Sequence, residues 1–219
     1  MPAVPTPPLR SGWIADCHVH LHSEFDVTSF LDGAARNLRR TDAPGFTGML
    51  CLADIGSQES LARLRHGAPG WSVEGTQETE SLLVRGAAGL LAIIAGRQVV
   101  TAERLEVLML GSARPLADGA PLDRTLELAD AAGGVAVLPW GVGKWTFDRA
   151  RIVARVLAEA DPRALLVGDN GTRPGIVPEP RLLRVARARG FRVLPGSDPL
   201  PLAFHAARAG SCQAAVPPT

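Results

Sequence analysis

Short apolar runs alternate with helical patterns along most of this chain, and that alternation limits the folds it can adopt. The first apolar run, Trp13–Cys17, is followed by a predicted helix at Thr28–Arg39. Further strands are predicted at 46–52, 90–95, 105–110, 135–138, 165–167 and 191–194, and further helices at 57–67, 78–85, 121–132, 148–160, 181–189 and 203–208. Such alternation implies parallel strands joined by right-handed crossovers. The sequence therefore predicts an α/β fold, a distorted (β/α)7-type barrel with mainly parallel strands, with an open doubly wound sheet as the alternative.

The length and composition of the chain favour a single domain. With 219 residues, 46% of them apolar and 21% charged, the chain can bury a substantial core. Residues 1–10 are proline-rich and are predicted to form a flexible tail that is not a signal peptide, while 11–219 are predicted to form one barrel domain. The longest apolar stretch, 87–95, is too short to span a bilayer. Three widely spaced cysteines suit a reducing cytoplasm, so we expect a cytoplasmic protein.

The charge balance argues against nucleic-acid and membrane partners. Lys and Arg together number 23 and Asp and Glu 22, and no basic run with interleaved aromatic residues occurs. All but one of the basic residues are arginine, and the single lysine is Lys144. A lone lysine in such a composition is informative, because lysine and arginine differ in geometry and hydration.

The segment Asp16–His22 contains three of the five histidines of the chain. If the preceding apolar run is a strand, Asp16, His18, His20 and His22 project to the same side. Two imidazoles one residue apart at the end of a strand can hold one metal ion. The alternative is a polar strand end at which the histidines meet solvent or backbone carbonyls.

Polar residues follow nearly every predicted strand. In a parallel α/β fold such residues meet at the carboxyl ends of the strands, where active sites lie. Turn chemistry alone would supply some of them, but their number favours a pocket. The candidates at these positions are His18, His20, Asp54, Gln98, Lys144, Asp169, Arg173 and Asp198.

The pattern of these segments resembles the PHP (polymerase and histidinol phosphatase) superfamily, whose members are distorted α/β barrels that carry metal-dependent phosphoesterases. The resemblance extends over most of residues 13–205 and rests on no one diagnostic motif. The matching segments are 16–22 for the family's Asp-x-His-x-His, 52–55 for Thr-Asp-His, 93–101 for Gly-x-Glu, 135–139 for His-Pro, and 194–199 for Gly-Ser-Asp-x-His.

Four metal-ligand positions of the family are changed in this chain. The replacements are Ile55 for a histidine, Gln98 for the bridging glutamate, Leu138 for the His-Pro histidine and Pro199 for the terminal histidine. The ligands that remain are His18, His20 and Asp198, with Asp54 nearby. Two histidines and one carboxylate can hold a single divalent ion, zinc or manganese, and leave a position open for water. The resemblance therefore implies a reduced site with one metal.

A loop rich in tryptophan and glycine, Trp140–Trp145, follows the predicted strand at 135–138 and contains Lys144. It is not a Walker A loop, because Leu138 and Trp145 stand where that motif requires Gly and Ser or Thr. Lys144 could present a cation to a phosphate or carboxylate group, or it could be a solvated residue of a surface turn. Arg173 could be a second anion-binding group or the partner of Asp169 in a salt bridge.

Two functions are consistent with these residues. The first is a metal-dependent hydrolase of the phosphoesterase type, acting on a small anionic substrate that carries phosphate or carboxylate. In it His18, His20 and Asp198 hold the metal, Lys144 and Arg173 bind the anion, Gln98 orients a ligand, and Asp54 or Asp169 is the general base. The second is a non-catalytic relative that binds a ligand or a protein and holds no metal. Four lost ligands favour the second, and the remaining His-x-His and Gly-Ser-Asp segments favour the first.

Overall fold

The computed structural model describes residues 12–39, 47–171 and 178–216. Within these residues the chain forms twelve strands, five α-helices and one 3₁₀ helix. The strands are β1 (Trp13–Val19), β2 (Thr47–Leu52), β3 (Asp54–Ile55), β4 (Trp71–Gly75), β5 (Ser81–Gly86), β6 (Gly89–Ile94), β7 (Gly96–Val100), β8 (Glu106–Leu110), β9 (Val135–Trp140), β10 (Leu165–Asn170), β11 (Val193–Gly196) and β12 (Ala214–Val216). The helices are α1 (Val27–Leu38), α2 (Ser60–Arg65), α3 (Leu122–Ala131), α4 (Phe147–Glu159), α5 (Arg181–Ala188) and the 3₁₀ helix Ala203–Arg208.

Two six-stranded mixed sheets form the centre of the molecule. The first has the strand order β12-β1-β2-β6-β5-β4, and the second has the order β11-β10-β9-β8-β7-β3. Parallel pairing joins β1 to β2, β2 to β6, β9 to β10, β10 to β11 and β3 to β7. Antiparallel pairing joins β1 to β12, β4 to β5, β5 to β6, β7 to β8 and β8 to β9.

The prediction of a mainly parallel (β/α)7-type barrel is therefore wrong. Its largest error lies at 71–86, where a helix is predicted over 78–85 and the structure has the strands β4 and β5, which pair antiparallel with each other and with β6. The link from β5 to β6 consists of Ala87 and Ala88 alone, whereas a parallel connection needs a crossover of a dozen or more residues. The predicted tail 1–10 lies outside the described residues.

The helices cover the outer faces of the two sheets and leave a central apolar cluster between them. Residues of β8 show the division, because Val107 and Met109 pack into the cluster beneath the second sheet's helices while Leu108 and Leu110 pack into the central cluster. The central cluster also contains Ala15, Cys17, Cys51, Ala53 and Val137, from both sheets. The inner faces of β1, β2, β6, β8, β9, β10 and β11 therefore point to one shared interior, and the functional residues lie at one end of it.

The two sheets approach each other most closely between β1 and β11. Gly196, the last residue of β11, lies so near His18 that an added Cβ would overlap the Cβ of that histidine. Just beyond it, the N–H of Asp198 donates to the carbonyl oxygen of His18 at 2.9 Å. This contact brings the end of the second sheet against the end of β1. None of the helices in the described residues is long and apolar enough to cross a membrane.

Candidate metal centre

A β-bulge in β1 sets the direction of the histidines. Asp16 pairs with Leu50 and Val19 pairs with Leu52, so β1 contains one more residue than β2 between these two pairs. Cys17 packs into the central cluster, and His18 also faces the interior, because its Nε2 lies 3.0 Å from Gln98 Oε1. Regular alternation would have sent Cys17 and His18 to opposite faces. The bulge places both on the inner side.

Asp16 does not join the histidines, which corrects the prediction that it projects with them. Its Oδ1 accepts hydrogen bonds from the N–H groups of Ser197 at 2.9 Å and His18 at 3.4 Å, and its Oδ2 accepts one from Gly210 at 2.7 Å. Burial raises the pKa of Asp16 to about 7, against the opposing effect of these hydrogen bonds. Asp16 thus fastens the loop after β11 and the segment before β12 to β1.

His20 is oriented by a backbone carbonyl. Its Nδ1 lies 2.6 Å from the carbonyl oxygen of Ala53, which can only accept, so Nδ1 carries a proton and donates it there. Nε2 then presents a lone pair toward His18 Nε2 at 3.1 Å and Asp198 Oδ1 at 3.3 Å. Metal-binding histidines are typically held in this way, with the second ring nitrogen donating to a carbonyl or carboxylate.

His18 is buried and meets three polar groups through one nitrogen. Its Nε2 lies near His20 Nε2, Gln98 Oε1 and Asp198 Oδ1, at 3.1, 3.0 and 3.6 Å. Its Nδ1 has no hydrogen-bond partner among the described residues, so its Nε2 contacts fix the ring. Burial lowers the pKa of His18 to about 4, although the nearby Asp198 charge opposes this. The imidazole is therefore neutral at neutral pH and available as a metal ligand.

Asp198 closes the cluster from the loop after β11. Its backbone lies in the left-handed region with φ 43°, and its Oδ2 accepts a hydrogen bond from Asn170 Nδ2 at 2.8 Å. This contact turns Oδ1 toward the two histidines. Burial alone would raise the pKa of Asp198, but His20, His18 and Lys144 together hold that pKa well below its usual range. The carboxylate is therefore ionised at any working pH.

The side chains of His18, His20 and Asp198 could hold one metal ion. One ligand atom from each lies within 4.8 Å of the other two, and all three side chains are largely buried. Lone pairs on His20 Nε2 and ionised Asp198 Oδ1 point at the same space, so they repel each other unless a proton or a metal ion lies between them. Two imidazole nitrogens and a carboxylate oxygen are a donor set that fits zinc and related divalent ions.

Lys144 and Gln98 lie next to this cluster. Gln98 is directly opposite Leu108 in the β7–β8 pairing, so both face the interior. Lys144 makes an ion pair with Glu106, which is two residues before Leu108 and therefore on the same inner face. The ion pair therefore brings the Lys144 ammonium group to the inner side of the β7–β8 pair, where Gln98 contacts His18.

Two other predicted site residues, Asp54 and Asp169, are not brought to the cluster. Asp54 pairs with Arg97 rather than with Gln98, and its Oδ2 accepts a hydrogen bond from the Ser60 N–H at 2.9 Å at the start of α2. Asp169 pairs with Trp140, which packs against the cluster beneath the helices, so Asp169 is on the outer face of β10. Arg173 lies outside the described residues.

Three residues near the cluster were missed or left open. Asn170 follows Asp169 and, by alternation, faces inward to Asp198; the apolar spacing of β10 could have indicated this. Glu106 starts β8, and it faces inward because Leu108, two residues further along the strand, packs into the central cluster. His22 lies beside His20, with ring centroids 5.3 Å apart, and its Nε2 bonds to the Pro199 carbonyl oxygen at 2.8 Å. Burial lowers the pKa of His22.

Comparison with known proteins indicates the fold and no activity. No family model matches the chain, and no curated protein matches its sequence. The structure is similar to the crystal structure of PsfC from Pseudomonas syringae PB-5123, with a TM-score of 0.60 over 93% of this chain and 81% of the PsfC chain. The two chains are 16% identical, so the similarity extends to the two-sheet fold alone.

The buried state of His18 predicts a pH-dependent stability of the metal-free protein. Because the pKa of His18 falls from 6.5 to about 4 on folding, the unfolded chain takes up a proton in this range and the folded protein does not. Stability should therefore decrease as the pH drops from 6.5 toward 4. Relative to a His18→Gln variant, we expect the wild type to lose up to about 3 kcal/mol of unfolding free energy. Urea denaturation in EDTA at stepped pH measures this difference, and a constant difference would contradict it.

Proposed function

We propose that the protein is a metal-dependent hydrolase, of the phosphoesterase type, with a reduced site that holds one divalent ion. The observation that carries the proposal is the convergence of His18 Nε2, His20 Nε2 and Asp198 Oδ1 at one buried point. The resemblance to the PHP superfamily points the same way and stays a prediction. Zinc or manganese is the expected ion, because two imidazoles and one carboxylate suit both.

The residues around the ion define what the site can do. A bound divalent ion supplies Lewis-acid chemistry and activates water at neutral pH. His20 is held by the Ala53 carbonyl and Asp198 by Asn170, so both present a fixed ligand atom. Gln98 offers a neutral amide oxygen beside His18 and adds no negative charge. Neither Asp54 nor Asp169 has the position of a general base, since one bonds to α2 and the other is on the outer face.

The substrate class follows from the charges at the site. A divalent ion held by His18, His20 and Asp198 would be positive, and so is the Lys144 ammonium group, which pairs with Glu106 on the inner face of β8. An anionic group is the complementary ligand, and a phosphate ester would offer oxygens to both cations. We therefore propose a small phosphate ester as the substrate, with a carboxylate-bearing molecule as the second choice.

Metal titration combined with hydrolysis assays tests the proposal. Protein stripped of metal should bind about one equivalent of zinc or manganese by calorimetry, as expected for one three-ligand site. The loaded protein should hydrolyse p-nitrophenyl phosphate or its bis ester. In an Asp198→Asn variant we expect the metal affinity to fall at least about 100-fold, because a charged ligand is lost. Asp148→Asn, an exposed change on α4, is the matched control and should have no effect.

The same experiment separates the hydrolase from the non-catalytic alternative. A protein that takes up neither ion is not the proposed hydrolase. A protein that takes up one equivalent and binds phosphate, yet hydrolyses neither ester in either metal form, would be a ligand-binding module built on the same fold. That second outcome would retain the metal site and reject the enzyme.

A further inference from the structure

Glu106 and the only lysine of the chain form an ion pair at the edge of the metal centre. The Lys144 ammonium group donates to Glu106 Oε2, and the side chains are 31% and 17% exposed. The stem of Lys144 packs over Gly141, where an added Cβ would come within 2.7 Å of Lys144 Cδ. Both the head and the stem of the lysine are therefore fixed, unlike those of a solvated surface residue.

The backbone determines where this pair lies. Glu106 pairs with Val100 and Leu108 pairs with Gln98, so Glu106 and Gln98 project from adjacent strands to the same interior. Gln98 Oε1 contacts His18 Nε2 at 3.0 Å. Glu106 is thus on the strand next to Gln98, and Gln98 contacts the metal ligand His18. Lys144 comes from a separate element, the loop after β9, and the last residue of β9, Trp140, pairs with Asp169 of β10.

The two charges have opposite effects on the two ligands that the proposed function requires. A lone ammonium group here would repel a divalent ion, whereas a lone carboxylate would repel the anionic substrate. When the two groups are paired, their opposite charges cancel at the position that a metal ion would take. An anion in the site can still accept hydrogen bonds from the ammonium group, because one carboxylate oxygen occupies only one of its three N–H donors.

We propose that Glu106 is a positioning residue that neutralises and holds Lys144, so that one metal ion and one ammonium group together bind the oxyanion of the substrate. This inference rests on the proposed function and adds to it the second cationic contact and the residue that makes that contact compatible with a metal. A tetrahedral oxyanion such as phosphate is the group that two cations on adjacent sides would bind.

Three variants test the proposal on full-length protein, with zinc alone and then inorganic phosphate as the probes. Lys144→Met removes the positive charge. It should tighten zinc binding by about threefold or more and weaken phosphate binding to the zinc-loaded protein by about tenfold or more. Lys144→Arg keeps the positive charge and should leave the zinc affinity within about threefold of the wild type. Glu106→Gln leaves the ammonium group unneutralised and should weaken zinc binding while phosphate binding to zinc-saturated protein stays at least as tight.

The opposite signs of the zinc and phosphate effects exclude a merely structural role, because a distorted site would bind both ligands more weakly. If Lys144→Met weakens both, or leaves phosphate binding unchanged, the inference is overturned while the metal site remains. If Glu106→Gln weakens phosphate binding as much as Lys144→Met does, Glu106 does not act by neutralising the lysine. A wild type that takes up no zinc overturns the proposed function and this inference together.

Discussion

A His18→Ala/His20→Ala variant should gain no thermal stability from zinc, whereas the wild type should gain several degrees. A ligand that binds only the folded protein stabilises it by about 2.7 kcal/mol at a concentration of 100 times Kd. For a chain of this size that corresponds to an increase of about 5–10 °C in Tm. The variant lacks two of the three converging ligands and retains only the Asp198 carboxylate. Thermal unfolding with and without zinc measures the effect, and no assay of activity is needed.

The matched control for this variant is His66→Ala. His66 is exposed just after α2, so removal of its imidazole should leave the zinc-induced increase in Tm unchanged. Circular dichroism of the double variant without zinc checks that it is folded, since the two alanines leave space in a buried region. An equal zinc-induced increase in the double variant and the wild type would mean that zinc binds elsewhere, and the proposed site would be wrong.

The sequence predicted the members of the cluster better than the fold that joins them. The expected proximity of His18, His20 and Asp198 is confirmed, although most of the chain separates Asp198 from the two histidines. The reason is that β1 and β11 end at the same edge, as the strand-end rule requires, and that rule does not depend on a complete parallel barrel. The strands β9, β10 and β11 pair in parallel, and so do β1 and β2.

The antiparallel half of the fold could be predicted only in part. The short connection between β5 and β6 could have indicated their antiparallel pairing. Only two residues lie between Gly86 and Gly89, and a connection of that length forms a hairpin. The apolar content of 81–86 did not separate helix from strand, and the pairing of β5 with β4 and β6 decided the outcome. Tertiary context thus overrode the local pattern.

Side-chain direction was the least predictable property of the site. The sequence of β1 contains no mark of the bulge that turns Cys17 and His18 to the same side, because the bulge arises from pairing with β2. The choice between Asp169 and Asn170 depended on which face of β10 is covered by helices. The neighbours Val167, in the helix-covered cluster, and Leu166, beside the central one, settle that choice.

A Gly196→Ala variant should lose both stability and metal affinity, because no space for a methyl group exists between β11 and β1. The added Cβ would overlap the Cβ of His18 and press on its backbone N and Cα. Overpacking of this kind costs about 1–3 kcal/mol, and relief by moving His18 separates its Nε2 from His20 and Asp198. We expect urea denaturation to show a loss of about 2 kcal/mol. Zinc titration should show a loss of affinity of at least about tenfold, which corresponds to 1.4 kcal/mol or more.

The matched control is Gly75→Ala at the end of β4, where an added Cβ has no neighbour within 4 Å. Both changes remove the same backbone freedom from the unfolded chain, so their difference isolates the contact with His18. If Gly196→Ala unfolds at the same urea concentration as Gly75→Ala and binds zinc as the wild type does, then the approach of β11 to β1 is looser than the structure shows. The metal ligands would then be held together by Asp16, whose carboxylate accepts from the Ser197 N–H and so joins β1 to the loop after β11.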